Sequence, residues 1–255
     1  MKGYYLYGVV PFSSEEELGP IGIDGAIVKT VPFEKLSAVV HSCDIDVKIP
    51  GDEKAAGQWI IAHQDAVEKV WERFGVIAPS SFGTILKGDD PDKTTVKWLS
   101  DNYESFLSKL KELVGKAEYG VQLLWDIKKI SEDVVAEDQE LLSLQEQIRS
   151  ESAGVVYLHK KQMEQILKLK LEEKAFNLFK STYDTIEGMV DGVVIEKLKA
   201  PAEGAQMLMN ISCLVAKKDE KRLGSLLDEL NNVGGYTVRF TGPWPPYSFV
   251  NKTSV

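Results

Sequence analysis

Apolar residues in this chain fall into short runs and spaced stripes that alternate between the period of a strand and that of a helix. Tyr4-Tyr5-Leu6-Tyr7-Gly8-Val9-Val10 is rich in aromatic and β-branched residues and stops at Pro11, which predicts a strand. Residues 26–31 and 36–40 predict two more strands, and Pro32-Phe33-Glu34 between them is short enough for a hairpin. Residues 13–24 and 44–51 are polar and punctuated by Gly or Pro, and read as loops. In 54–74 the residues Ile60, His63, Val67, Val70, Trp71 and Phe74 share one helical face, and Gly75 suits the C-terminal end. Residues 76–86 read as extended. Residues 92–114 predict a second amphipathic helix, carrying Val96, Leu99, Tyr103, Phe106, Leu107 and Leu110 and ending at Gly115.

The pattern then starts afresh. Residues 119–125 predict a strand, and 131–150 an acidic helix. A long helix is predicted over 157–187. Its apolar set is Met163, Ile166, Leu167, Leu171, Phe176, Phe179, Tyr183 and Ile186, with Lys160, Lys161, Lys168, Lys170 and Lys174 on its other faces. Opposite charge on consecutive helices favours docking, yet exposed pairs contribute little and two solvated faces account for the pattern equally well. Residues 191–198 predict a strand, 201–204 a turn, and the nearly uncharged 205–216 a buried strand. A short helix over 218–231 and a strand over 236–241 follow. From residue 118 the order is strand, helix, strand, strand, helix, strand, the βαββαβ order of a ferredoxin-like fold, with the acidic helix as an insertion. The expectation is therefore an α+β protein of two domains. Residues 1–115 form a small mixed α+β domain; residues 116–255 form a ferredoxin-like domain with long helices and a Pro/aromatic tail.

The chain has 255 residues, room for two such domains. No stretch reaches 18 uninterrupted apolar residues, and the first residues lack a signal peptide's apolar core, so a cytoplasmic protein without a membrane partner is expected. Acidic residues outnumber basic ones 39 to 30, for a net charge of −9. That is the wrong sign for nucleic-acid binding, whose affinity comes largely from phosphate neutralisation. Cys43 and Cys213 are too far apart for a CxxC pair and are expected to be free thiols.

Candidate chemistry is sparse. His63 heads His63-Gln64-Asp65-Ala66-Val67-Glu68, but position 67 is Val, so the HExxH zinc motif is absent. His41 and His159 are isolated. Cys43 has His41 and Asp44 beside it in sequence, without a third group to complete a nucleophilic set. There is no GxSxG elbow, no phosphate loop and no GxGxxG, and the Gly-rich 19–25 segment has the wrong spacing for a phosphate cradle. No cofactor, metal or enzymatic activity is expected. Pro79-Ser80-Ser81-Phe82-Gly83-Thr84 reads as a bulged edge strand, or as a surface approached by a partner's backbone. The most specific stretch is the tail Gly242-Pro243-Trp244-Pro245-Pro246-Tyr247-Ser248-Phe249. Its prolines stiffen the chain, and Trp244 and Tyr247 are large anchors; of the two readings, packing on the chain's own body or offer to a partner, the expectation is that both rings pack on the body.

That tail resembles the C-terminal signature of the gas vesicle protein F/L family. Three further stretches are similar to the same family: the opening strand Tyr5-Leu6-Tyr7-Gly8-Val9-Val10; the first-helix motif carried by His63, Val67 and Glu68; and the segment with Pro79, Phe82, Gly83 and Thr84. Gln64 stands where the family often has Glu, and Ser81 where it often has Arg. The resemblance implies an accessory protein of gas vesicles, a minor vesicle component or assembly factor. It implies binding to the small, hydrophobic major shell protein, limited aggregation of that protein during nucleation, possible contact with other accessory proteins, and residence in the cytoplasm before assembly. The residues it marks as candidate partner contacts are His63, Glu68, Pro79, Phe82, Gly83, Gly242, Pro243, Trp244, Pro245, Pro246 and Tyr247. A second reading, a small-molecule-binding or catalytic α+β protein, would require a pocket with convergent polar groups.

Overall fold

The computed structural model describes residues 2–46, 50–150, 153–200 and 203–250. Pro201 and Ala202 of the predicted turn, and residues 47–49 of the predicted loop, lie outside them. The chain is α+β, and its contacts divide it into two units, 1–118 with 242–250, and 119–241. The sequence boundary near 115 assigns the Pro/aromatic tail to the second domain, whereas these contacts place it with the first unit.

The first unit is built on a six-stranded sheet of β1 (Lys2–Val10), β2 (Glu17–Gly19), β3 (Val28–Phe33), β4 (Leu36–Asp44), β5 (Ala78–Pro79) and β6 (Ile85–Lys87), in the order β2-β3-β4-β1-β5 with β6 also on β1. β2 falls in the predicted 13–24 loop. It is three residues long, too short to show a period. The hairpin is tighter than expected: Pro32 and Phe33 are paired in β3, and the turn is Glu34-Lys35, with Glu34 at φ 51°.

β1 is buried from Gly3 onward because helices cover both sides of the sheet. Helix α1 (Glu53–Phe74) lies on the side of Tyr5, and α2 (Pro91–Asp101) on the side of Tyr4, whose hydroxyl donates to Asp92. Asp52 caps α1 by accepting from the Ala55 N–H, and Gly75 ends it at φ 74°, as its position after Phe74 predicts. Between Leu6 and Gly8 the β1–β4 register shifts by one residue. The bulge changes the alternation, so Tyr5, Tyr7 and Val10 all reach the α1 side and pack with Val67, Val70 and Ile77. The helix predicted over 92–114 is two, α2 and α3 (Tyr103–Leu113). Asn102 interrupts it, its side-chain amide donating to the Trp98 carbonyl, a local bond that competes with the helical ladder.

The second unit contains most of a four-stranded sheet in the order β10-β7-β9-β8, from β7 (Lys116–Asp126), β8 (Gly192–Ile195), β9 (Ala205–Ala216) and β10 (Tyr236–Trp244). β7 and β9 are neighbours, as the strand–helix–strand–strand–helix–strand reading requires, and β8 and β9 are antiparallel. β9 is buried from Met207 to Val215, matching its uncharged composition. The acidic segment is two helices, α4 (Ile127–Glu137) and α5 (Gln139–Ser150), broken at Asp138. The Asp138 carboxylate accepts from the Leu141 N–H at 3.1 Å and pairs with Lys170 at 2.6 Å. Lys170 lies on α6 (Ala153–Glu187), and Lys174 reaches Glu137 at 3.6 Å. The opposite charges noted in the sequence thus meet in two pairs at the surface, Asp138 with half-buried Lys170 and Glu137 with half-buried Lys174. Such pairs contribute little, and α4 and α5 bury Ile130, Val134, Leu141 and Leu144. Helix α7 (Glu220–Asn231) follows β9 and buries Leu223 and Leu227.

Candidate functional site

Three of the four motif stretches converge in the first unit on one buried cluster of aromatic and polar side chains. His63, on the inner face of α1, is 1% exposed. Its Nδ1 lies 2.9 Å from Tyr5 Oη, and its Nε2 lies 3.3 Å from the Ser80 carbonyl oxygen. The Gly83 N–H donates to Tyr5 Oη at 2.9 Å. These bonds assign every proton. A carbonyl only accepts, so Nε2 carries the hydrogen; Nδ1 then accepts from the Tyr5 hydroxyl, which itself accepts from Gly83. His63 and Tyr5 together clamp both ends of the 80–83 loop onto α1 and β1.

A parallel arrangement lies beside it. The Ile23 N–H donates to Tyr7 Oη at 2.9 Å, and Tyr7 Oη lies 2.9 Å from His41 Nδ1. The rings are interleaved: Tyr5 stacks on His41 at 5.1 Å, and Tyr7 on His63 at 5.4 Å. Burial holds both imidazoles well below their usual pKa, at about 4, so both are neutral at pH 7. The same burial pushes the Tyr5 hydroxyl up to about 12 and the Tyr7 hydroxyl higher still. With both nitrogens engaged and its basicity lowered, His63 is built to hold structure rather than to exchange protons with a substrate. Cys43 gains nothing as a nucleophile: burial raises its thiol pKa, and the Nδ1 of its neighbour His41 is held by Tyr7.

The 79–84 segment is where the edge of the sheet is interrupted. Pro79 ends β5, paired with Gly8, and Ile85 begins β6, paired with Tyr5. Between them the chain makes a turn in which Gly83 takes φ 83°, a conformation that favours glycine, and the Thr84 hydroxyl donates to the Ser81 carbonyl. Phe82 turns inward, edge-on to His63 at 5.7 Å. Ser81 is exposed.

The tail completes the cluster. Gly242 and Pro243, joined by a cis peptide, are exposed in β10; Pro245 and Pro246 are buried. Tyr247 brings its ring to 6.4 Å from His63 and packs on the first unit's core. Burial raises its hydroxyl pKa, with the half-buried Glu68 among the charges adding to the effect. The next residue fixes the turn: the Ser248 N–H and hydroxyl each donate to the buried Glu118 carboxylate at 2.7 Å. The sequence reading expects Trp244 and Tyr247 both to pack inward. Tyr247 does; Trp244 is 48% exposed, because the buried Pro245-Pro246 step carries the chain inward only after it.

Sequence reasoning thus marked His63, Glu68, Pro79, Phe82, Gly83 and Tyr247 as one set, and missed Ser80, Glu118 and Ser248. Their link spans 130 residues for the Glu118–Ser248 pair and carries no local signal. Replacing Glu118 with Ala is expected to loosen the tail by about 2 kcal/mol, two bonds to a charged acceptor being lost. Hydrogen exchange at Ser248 and Phe249 checks this, with faster exchange there and unchanged protection in β4.

Among the described residues no three His, Cys, Asp or Glu side chains come together to hold a metal ion, and no helix is long and apolar enough to cross a membrane. Grooves open at the surface are found among the described residues. One of about 410 Å³, between Tyr4, Lys29 and Glu15–Glu17, carries charges already paired, Lys29 with Glu15 and Asp92.

Comparison with known proteins gives a consistent result. Residues 3–251 match the family described as gas vesicle synthesis protein GvpL/GvpF. Gas vesicle protein L1 of Halobacterium salinarum is 31% identical over 97% of this chain and 90% of its own length. Gas vesicle protein L of Haloferax mediterranei is 30% identical over 89% of this chain and 72% of its own. The crystal structure of GvpF from Anabaena superposes with a TM-score of 0.77 over the whole of both chains at 17% identity. That of GvpF from Microcystis aeruginosa gives 0.67 over 98% of this chain and 99% of the other, also at 17% identity.

Proposed function

Because this chain belongs to the gas vesicle synthesis protein GvpL/GvpF family, we propose that it binds the hydrophobic major shell protein of the gas vesicle and limits its aggregation while a vesicle is nucleated. The accessory role in gas vesicles follows from the family; the shell-protein contact is the step proposed here.

The observation that carries it is the state of the tail. Pro245, Pro246 and Tyr247 are anchored, and Ser248 is held by Glu118, yet Trp244 immediately before them keeps half its surface in solvent. An aromatic side chain held out on a stiff, pre-ordered stem loses little entropy on binding, and tryptophan is the residue most often found at interface hot spots. Net charge of −9 keeps a complex with an apolar subunit in solution. The other motif residues support this surface from beneath: His63, Phe82 and Tyr247 set where the tail leaves the body.

Trp244→Ala is expected to leave the melting temperature within a degree or two of wild type, since exposed substitutions change stability by about 0.5 kcal/mol or less. Capture of co-expressed shell protein by the tagged chain should fall at least tenfold. Full capture by the variant would remove Trp244 from the contact, and absence of capture by the wild type would overturn the reading.

A further inference from the structure

Helix α6 has an apolar face that its own unit leaves uncovered. Leu158, Leu169 and Phe176 are 64, 65 and 63% exposed, and Val155 is exposed beside them. Steps of eleven and seven residues, at 3.6 per turn, bring the first three within about 20° of one another around the helix. Leu167, Leu171 and Leu178 lie on the opposite side and are half-buried. Gln162 and Gln165, both exposed, fill the gap in the stripe. Scattered exposed apolar residues need no explanation; a stripe in register along one helix marks a contact surface.

We propose that this face pairs with the same face of a second copy of the chain, the two α6 helices running antiparallel about a two-fold axis near residue 167. The charges select the occupant. Within about 80° of the stripe, at 3.6 residues per turn, the N-terminal half carries Lys161 and Lys168, and the C-terminal half carries Glu172, Glu173, Asp184 and Glu187 against Lys180; Lys160 and Glu164 lie on the other side, and Lys170 and Lys174 face Asp138 and Glu137. One half is basic and the other acidic, so an antiparallel copy sets unlike charges together and a parallel one sets like against like. A two-fold contact also closes on itself and needs no second surface.

The register follows from the stripe. Centring on residue 167 places Leu158 of each copy against Phe176 of the other, over a span of about 27 Å. Leu169 then meets Gln165, and Lys161 comes beside Glu172. The present partners of these two charges, Glu164 at 2.8 Å from Lys161 and Lys168 at 3.8 Å from Glu172, lie on the same helix and are exposed. Such pairs are worth little and can rearrange. With three apolar residues per helix and two glutamines between them, the dimer is weak and concentration-dependent.

Sedimentation velocity of the full chain over a hundredfold concentration range tests this. The wild type should move from the monomer toward twice its mass. Phe176→Glu, an exposed position whose fold is checked by circular dichroism, should stay monomeric throughout. Lys161→Glu should weaken association about tenfold, and adding Glu172→Lys to it should restore association; a merely hydrophobic contact would not respond in this way. A wild type that stays monomeric, a dimer indifferent to Phe176→Glu, or a failed charge rescue overturns the proposal. So does a monomeric wild type whose capture of shell protein is abolished by Phe176→Glu, which would give the stripe to that partner.

Discussion

His63→Ala should destabilise the first unit by about 4 kcal/mol, the largest effect expected of any single substitution in the cluster. The imidazole is 1% exposed, so its removal leaves a cavity among Tyr5, Tyr7, Phe82 and Tyr247. It also strips the Tyr5 hydroxyl of its acceptor and the Ser80 carbonyl of its donor. Tyr5→Phe keeps the ring and orphans only the Gly83 N–H and His63 Nδ1, and should cost about 2 kcal/mol. Urea unfolding measures both, and amide exchange at Gly83 shows whether the 80–83 loop is released. A His63→Ala protein that unfolds at the wild-type midpoint would mean that the cluster does not hold this unit together.

Acid should weaken the same unit over a defined range. His41 and His63 have folded pKa values of about 4 against 6.5 for the free side chain, both lowered by burial. Between those values the unfolded chain binds more protons than the folded one, so stability rises with pH. The contribution of the two neutral imidazoles is complete above about pH 6.5, declines as pH falls, and is gone below about pH 4. Each is worth up to about 3 kcal/mol across the window. Melting temperature should therefore fall steadily from pH 7 to pH 5, before most carboxylates titrate. His41→Gln should reduce the slope by about half. A melting temperature that is flat over that interval would show that the two histidines are not buried as neutral groups.

The elements of this fold were legible where one face of a segment meets one partner. β1, the β3–β4 hairpin, α1 with its Gly75 cap, and β9 stand out as runs or stripes; Pro11 and Gly75 mark the ends of β1 and α1, whereas Pro32 does not end β3, which pairs on through Phe33. What escaped was decided by single side chains bonding to nearby backbone. Asn102 and Asp138 each split a continuous amphipathic pattern, because their side chains satisfy helix-end groups while the apolar period runs on past them. The bulge in β1 was also hidden, since a strand covered on both faces shows no alternation to shift.

The candidate site was half legible for a related reason. Its residues come from β1, α1, the interrupted edge and the tail, and only their resemblance to a family's motifs grouped them beforehand. The physical link, His63 between Tyr5 and Ser80, is a tertiary bond with no sequence period. The tail was misjudged at one residue. Stiffness and aromatic content said that it docks, and it does through Pro245, Pro246, Tyr247 and Ser248. Nothing in the order of its residues said that Trp244 would stay in solvent.

The most direct test of the proposed role is light scattering by shell protein diluted from denaturant, with this chain present at equimolar concentration. Wild-type chain should hold scattering near the buffer baseline. The Trp244→Ala protein, folded and melting like wild type, should let scattering rise as it does with no chain added. Equal suppression by wild type and variant would contradict the exposed-anchor account, and no suppression by either would contradict shell-protein binding itself.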